Sequence, residues 1–368
     1  MGVYSHYNGK LGLICFAIYL IMLFVGRRTF SGKIEQSISY WLVFFFMALY
    51  SVLGFLEWDT YHYYDHYEEM FLFNTRIHVE QFFFWLVKVL PHSYILFRLV
   101  IWGTASWLMA QSAKMLNLNA NVFCFMVPLL FITQLSVTRG ALGLSLMIFC
   151  SILFIQSLDK RKLLWIIVAV LGLFYSPFLH KSIILYLFLL VFAYFFPFNK
   201  KTFVVSLLVF PLLYMFALSF FQKFSFFDYF NADQIYLVSK YQETEKITSN
   251  INGIIQKFFE STIYLLLLFD MTKKFLYEKI KVTKEQFFMY KYAYIMVYVY
   301  FLFFGQNISN WVSNRTLHAA SFALVLCATQ CYDTIMIKKE RSSVEKIILI
   351  GFIIMTVWKQ FAFIYKNW

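Results

Sequence analysis

Four places along this chain carry side chains that could act on a phosphorylated substrate. Arg139 opens the stretch Thr138-Arg139-Gly140-Ala141-Leu142-Gly143-Leu144-Ser145. Arg98 lies early in an apolar run, His180-Lys181-Ser182 follows Pro177, and Arg315 sits in Asn314-Arg315-Thr316-Leu317-His318. An arginine at the edge of hydrocarbon is costly unless it reaches water or a partner. Gly140, Gly143 and Ser145 are small enough to let another helix pack close, so Arg139 is expected to open into a protein-lined cavity. The alternative, for Arg139 and Arg98 alike, is a cation that snorkels to the membrane surface. Cations fixed at one depth suit a diphosphate, because Arg supplies a planar bidentate fork and Lys a compact charge. Arg98, Arg139, Lys181 and Arg315 are therefore the candidate diphosphate ligands, with Arg139 also a candidate catalytic contact. His180 has three readings: a base, a donor to phosphate, or a structural hydrogen-bonder.

A second cluster lies in Glu57-Trp58-Asp59-Thr60-Tyr61-His62-Tyr63-Tyr64-Asp65-His66-Tyr67-Glu68-Glu69. Rings stack on the apolar faces of pyranoses, and carboxylates accept hydrogen bonds from their hydroxyls. Trp58, Tyr61, Tyr64 and Glu68 are candidate sugar contacts. Asp59 or Asp65 could serve as general base for a sugar hydroxyl. The competing readings are a solvated loop with interfacial tyrosines, or a metal site using the His62/His66 pair with Asp65 and Glu69. Nothing else in the loop completes a metal signature, so neither a metal nor another cofactor is expected.

These residues must be held by membrane helices. The 368 residues are 61% hydrophobic and only 14% charged, whereas a soluble chain is nearer half apolar. The apolar runs continue for roughly 15 to 20 residues, which suits helices and not the alternating strands of a barrel. About twelve spans are predicted from these runs, at 11–26, 38–55, 93–112, 121–137, 140–157, 163–177, 182–197, 202–221, 258–272, 286–305, 317–336 and 347–365. Pro128, Pro177 and Pro211 fall inside spans and are expected to kink them. The five cysteines all lie in apolar segments, which argues against a disulfide framework.

The net charge of +13 does not point to nucleic acid, because the cations gather in short loops between spans. Arg27, Arg28 and Lys33; Lys114; Lys160 to Lys162; Lys200 and Lys201; Lys273, Lys274, Lys279, Lys281 and Lys284; and Lys338, Lys339, Arg341 and Lys346 occupy alternate loops. The positive-inside rule places these loops in the cytoplasm and both termini outside. The chain is then a single transmembrane domain over 1–368, with outer loops at 56–92 and 222–257. All four phosphate-binding candidates fall at the outward ends of their spans. Within 77–90, His78, Gln81 and Lys88 share a face, as in a helix lying on the outer leaflet; a core-packed loop helix is the alternative. Asp270 and Lys291, near inner ends, are expected to snorkel or pair locally.

The order of these features resembles the EpsG family of bacterial polysaccharide polymerases, within the broader Wzy class, from about 38 to 325. The resemblance rests on Asp59-Thr60-Tyr61-His62-Tyr63-Tyr64-Asp65, on Phe97-Arg98, and on Arg-x-x-Leu-x-Leu-Ser-Leu from Arg139 to Leu146. It continues through the basic loop Asp159 to Lys162, then Phe178-Leu179-His180-Lys181-Ser182 and Asn314-Arg315. Gly140 stands where the family often has a larger polar residue. The resemblance implies an all-α, GT-C-like multi-pass protein of the bacterial cytoplasmic membrane. It implies a glycosyltransferase, active on the outer face, that joins oligosaccharide repeat units carried on undecaprenyl diphosphate. The product would be O-antigen, capsule or exopolysaccharide. The implied partners are lipid-linked donor and acceptor, the bilayer and a chain-length regulator, with no nucleic acid and no cofactor. Competing readings are a GT-C transferase using polyprenyl-phosphate sugars and an outer acid such as Glu57 or Asp59, a lipid-linked oligosaccharide flippase or other transporter, and an acyltransferase with His180 as base.

Overall fold

The computed structural model describes residues 9–27, 33–53, 64, 67–73, 80–130, 138–223, 251–278, 280, 282–303, 309–338 and 342–367. Among these the chain is helical, with no strand. In order the helices are α1 (Gly9–Arg27), α2 (Lys33–Leu53), the short α3 (Gln81–Val89), α4 (Tyr94–Met115) and α5 (Ala120–Leu130). They continue with α6 (Thr138–Asp159), α7 (Leu163–Leu179), α8 (Ile183–Phe195) and α9 (Lys200–Lys223). Then come α10 (Ile251–Thr272) running into a π turn (Lys273–Tyr277), α11 (Lys284–Leu302), α12 (Ser309–Lys338) and α13 (Ser343–Asn367). Each predicted span falls on one of these helices over the described residues, and α10 starts a turn or two earlier than expected. Pro128, Pro177 and Pro211 all lie inside helices.

The core is built from α5, α6, α11 and α12. Every residue of α5 is buried, as is α12 from Thr316 to Thr329. Two helices, Gly140–Asp159 and Lys200–Ala217, are long and apolar enough by themselves to cross a membrane. They sit differently: 67% of the first is buried, but only 6% of the second. Around α7, α8 and α9 the large side chains Leu163, Phe174, Phe178, Phe188, Phe195 and Leu212 face outward. An uncovered apolar face of this extent requires lipid and not water, so the chain is a membrane protein.

Polar contacts sort the two ends of the bundle. At one end Gln286 Nε2 donates to the Leu116 carbonyl (2.8 Å) and to Gln330 Oε1 (2.9 Å). Gln156 Nε2 donates to the Met115 carbonyl (2.8 Å), and Lys284 Nζ to Asp159 (2.8 Å). Lys291 Nζ caps the carbonyls of Tyr194 and Phe196 at 3.0 and 3.1 Å, the local pairing expected of it. These are the segments whose loops carry the basic residues. Two antiparallel ion pairs bind α13 to α10: Lys359–Glu260 (2.8 Å) at the far end and Lys274–Glu345 (2.7 Å) at this one.

Lys274 departs from the sequence reading. Counted there as a loop cation, it is buried between Asp270 (2.7 Å) and Glu345, with the Tyr332 ring centroid 4.2 Å from its Nζ. The π turn explains this: the backbone N–H of Glu278 reaches the Lys273 carbonyl five residues back (2.9 Å), which rotates the end of α10 toward α13 and α12. Asp270 pairs locally, as expected.

Candidate active site

The other end of the bundle holds the chemistry. Pro177, in the last turn of α7, lacks the N–H that would bond the Leu173 carbonyl. Ser176 Oγ donates to that carbonyl instead (2.8 Å), so the helix survives to Leu179 without an orphaned acceptor. The chain then leaves the helix at His180, which is extended (φ −163°, ψ 122°). The His180 carbonyl accepts from Ile183 N (2.9 Å) and starts α8. His180 thus stands at a sharp corner between two helices, followed by the exposed Lys181.

Its partner comes from a hundred residues earlier. His180 Nδ1 lies 2.7 Å from Glu80 Oε1, with the two side chains only 19% and 9% exposed. With Glu80 ionised its carboxylate only accepts, so that Nδ1 carries the proton and donates it. Glu80 is the N-cap of α3. Its carbonyl accepts from Phe83 N (3.1 Å), but its side chain makes no capping bond to its own helix. The carboxylate goes to His180 instead. α3 is fixed by Phe83, Leu86 and Val87, which pack on Phe97 of α4, Leu142 of α6 and Leu179 of α7 in one apolar cluster. Trp85, Lys88 and Gln81 stay outward. The core-packed reading holds for the face carrying Phe83, Leu86 and Val87, while the other face is exposed.

Arg98 sits one turn into α4, whose N-cap Ser93 accepts from Leu96 N (3.3 Å). Its side chain is fully buried, with the guanidinium carbon 5.8 Å from the Tyr94 ring centroid. Arg98 is therefore a cation built into the bundle and not a snorkelling anchor. Arg315, in the second turn of α12, is half-buried, and its carbonyl accepts from Tyr186 of α8 (3.2 Å). Three residues on, the buried His318 lies within electrostatic reach of both Arg315 and His180. The α8–α12 contact thus brings two of the four candidate clusters, His180 and Arg315, to one place.

Gly143 brings in the third. A Cβ built there would lie 2.0 Å from Ile183 Cδ1, 3.1 Å from the Ser176 carbonyl oxygen and 3.3 Å from Leu179 Cβ. α6 nests against the His180 corner through the absence of that one atom, the close packing expected of Gly143. Thr138 and Arg139 form the first turn of this helix, one turn from Gly143. The Arg139 side chain lies outside the described residues.

In the acidic–aromatic loop, Trp58, Asp59, Tyr61, His62, Asp65 and His66 lie outside the described residues. Tyr64 packs edge-on against Tyr94 (5.3 Å between centroids). Glu68 meets His92 Nε2 at 3.0 Å, and that imidazole stacks on Phe71 (3.8 Å). These contacts tie the loop to the start of α4, beside the site. No group of three metal-ligating side chains occurs among the described residues.

The sequence reading passed over Glu80 and His318. Its own signals were weak: an acid opening the amphipathic 77–90 stretch, and a histidine one turn after Arg315.

The EpsG family model matches residues 37–367. The chain belongs to the EpsG family. That membership assigns it to the proteins associated with polysaccharide polymerisation, and carries a polymerase-type, glycosyltransferase-like role in polysaccharide synthesis. Neither a curated protein nor a solved structure matches it. The family's match begins in α2 and ends in α13, so it spans both α3, with Glu80 at its start, and the His180 corner.

Proposed function

We propose that this protein joins oligosaccharide repeat units carried on a lipid diphosphate, at the outer face of the bacterial cytoplasmic membrane. In this reading all the helices except α3 cross the bilayer. The donor is a growing chain on undecaprenyl diphosphate, and the acceptor a hydroxyl of another lipid-linked unit. The observation that carries the reading is the convergence of His180 with Glu80, Arg315 and His318 at one end of the bundle, beside the buried Arg98 and the start of α6. Breaking an anomeric C–O bond to a diphosphate leaves negative charge on the departing group. Preorganised guanidinium and ammonium donors are the groups that stabilise it. Arg98, Arg139, Lys181 and Arg315 fill this role. Trp58, Tyr61, Tyr64 and Glu68 hold sugar, with Asp59 and Asp65 close in sequence.

The test is reconstitution in liposomes with purified lipid-diphosphate-linked repeat units. A ladder of polymer is expected in excess chelator, because the protein's own cations neutralise the diphosphate. Transfer from polyprenyl-monophosphate sugars alone, abolished by chelation and restored by Mg²⁺ or Mn²⁺, would replace this reading with the metal-dependent GT-C one through Glu57 and Asp59.

Orientation has its own test. The basic loops share the end of the bundle opposite His180, and the positive-inside rule puts that end in the cytoplasm. Asp65→Cys and Glu243→Cys should therefore react with an impermeant thiol reagent in intact cells, whereas Lys160→Cys and Lys281→Cys should react only after permeabilisation. Labelling at Lys281→Cys from outside would invert the arrangement.

A further inference from the structure

We infer that a cavity between α2 and α4, at the end of the bundle that carries the basic loops, binds the phosphate headgroup of an anionic phospholipid. The inference does not rest on the proposed glycosyl transfer. Lys114, at the cavity, lies roughly 24 Å along α4 from Arg98.

The cavity has a volume of about 400 Å³, within the roughly 300–1,000 Å³ of small-ligand sites. Its walls come from the first turns of α2, the last turns of α4 and the turn that follows. Those walls are fixed. Asn117 takes the left-handed conformation (φ 53°) that closes a helix, and Leu118 N donates back to the Ala113 carbonyl (3.0 Å). The Tyr40 hydroxyl of α2 donates to the Leu118 carbonyl and ties the two helices together.

Four polar side chains line the cavity: Ser37, Gln111, Lys114 and Asn117. All four can donate hydrogen bonds, and no carboxylate is among the lining residues. None of these side chains has a hydrogen bond or ion pair among the described residues. Donors around one uncompensated cation select an anion whose oxygens accept, as a phosphodiester does. A neutral sugar would leave Lys114 without a counter-charge. A second cavity at the same end, between α6, α8 and α11, differs in both respects. Asp159 lines it, and its two lysines are already engaged, Lys284 by Asp159 (2.8 Å) and Lys291 by the Tyr194 and Phe196 carbonyls.

The remaining walls identify the source of the phosphate as a lipid. Trp41, Phe44 and Trp107 line the same cavity, and the two indoles stay 61% and 43% exposed. Ile38 and Phe45 of α2 are exposed as well. Acyl chains cover such a surface in a bilayer, and tryptophan gathers at headgroup level. Basic sites between membrane helices hold anionic headgroups in this way. An interfacial anchor would account for Lys114 and the indoles, but not for Gln111. That amide stands nearly a turn deeper than Lys114, where a polar group without a partner is costly. A headgroup phosphate supplies the partner.

The experiment uses the full-length protein in detergent, titrated with dioleoyl phosphatidylglycerol, with bound lipid counted by native mass spectrometry. The wild type is expected to retain phosphatidylglycerol at concentrations where dioleoyl phosphatidylcholine, with the same chains, is lost. Lys114→Gln should weaken retention roughly fivefold, the worth of one basic residue against an anionic lipid. Gln111→Leu keeps the bulk and the net charge but removes the amide, and should weaken it too. Lys162→Gln removes an exposed cation at the same end, outside the cavity, and should bind as wild type. Equal losses from Lys114→Gln and Lys162→Gln, or wild-type retention in Gln111→Leu, would overturn the inference, because the lipid would then answer to net charge alone. Glycerol 3-phosphate should not displace the lipid; displacement at matched concentration would give the cavity to a soluble phosphate instead. If the cavity variants fail to fold, the wild type still decides. A photoactivatable phosphatidylglycerol should cross-link within 37–44 and 107–118, and cross-links confined to other segments would refute the site.

Discussion

Lys274→Met should unfold the end of the bundle opposite His180 at a markedly lower temperature than wild type, with a loss of about 3–5 kcal/mol. The ammonium lies 2.7 Å from Asp270 and 2.7 Å from Glu345, and all three side chains are less than a tenth exposed. Tyr332 adds a hydroxyl to Asp270 (3.1 Å). Removing the cation leaves two carboxylates buried side by side with no counter-charge, which is the expensive way to break a buried pair. Methionine keeps the length of the stem, so the loss is one of charge and not of packing. The triple variant Lys274→Met, Asp270→Asn, Glu345→Gln removes the stranded charges as well, and is expected to regain most of the stability. Thermal unfolding in detergent reads both. A Lys274→Met protein as stable as wild type would mean that the network does not hold α10 to α13.

Much of this architecture was legible because the period and length of apolar runs report helices directly. α6, α9 and α12 lie where the hydropathy places them, and Gly143 does what a small residue in such a helix is expected to do. The tertiary pairings were not legible. Glu80 and His180 are a hundred residues apart, and neither carries a spacing that names the other. An acid at the head of an amphipathic segment looks like an ordinary surface residue until α3 folds onto Phe97 and Leu179. Lys274 was hidden for a different reason. It stands in a run with Lys273, Lys279 and Lys281, and such runs are normally solvated. One π turn is enough to rotate Lys274 inward while Lys273 stays exposed and pairs with Glu278 at 3.0 Å. Composition cannot report a half-turn of that kind. Arg98 lies between these cases: its apolar neighbours identified it as costly, and its complete burial decided that it is internal.

Arg139→Lys is expected to insert and fold as wild type yet leave single unpolymerised repeat units. The reason lies in the helix that carries it. Positions 139 and 143 are one turn apart and share a face of α6. Gly143 presses that face onto Ser176, Leu179 and Ile183, the residues that flank His180. Position 139 is therefore the next turn along this face toward the start of α6, where the proposed reading puts the leaving diphosphate. Lysine keeps the charge and most of the stem, so a surface anchor tolerates it. It loses the planar fork that matches two phosphate oxygens at once. Loss of one preorganised donor typically costs about 10²–10³ in rate, or roughly 3–4 kcal/mol of transition-state stabilisation. In cells this appears as short or absent polymer at normal protein levels. In liposomes it appears as a fall in kcat that a higher substrate concentration does not restore. Polymer of normal length and rate from Arg139→Lys would return Arg139 to the role of an interfacial anchor and leave Arg98, Lys181 and Arg315 to carry the diphosphate.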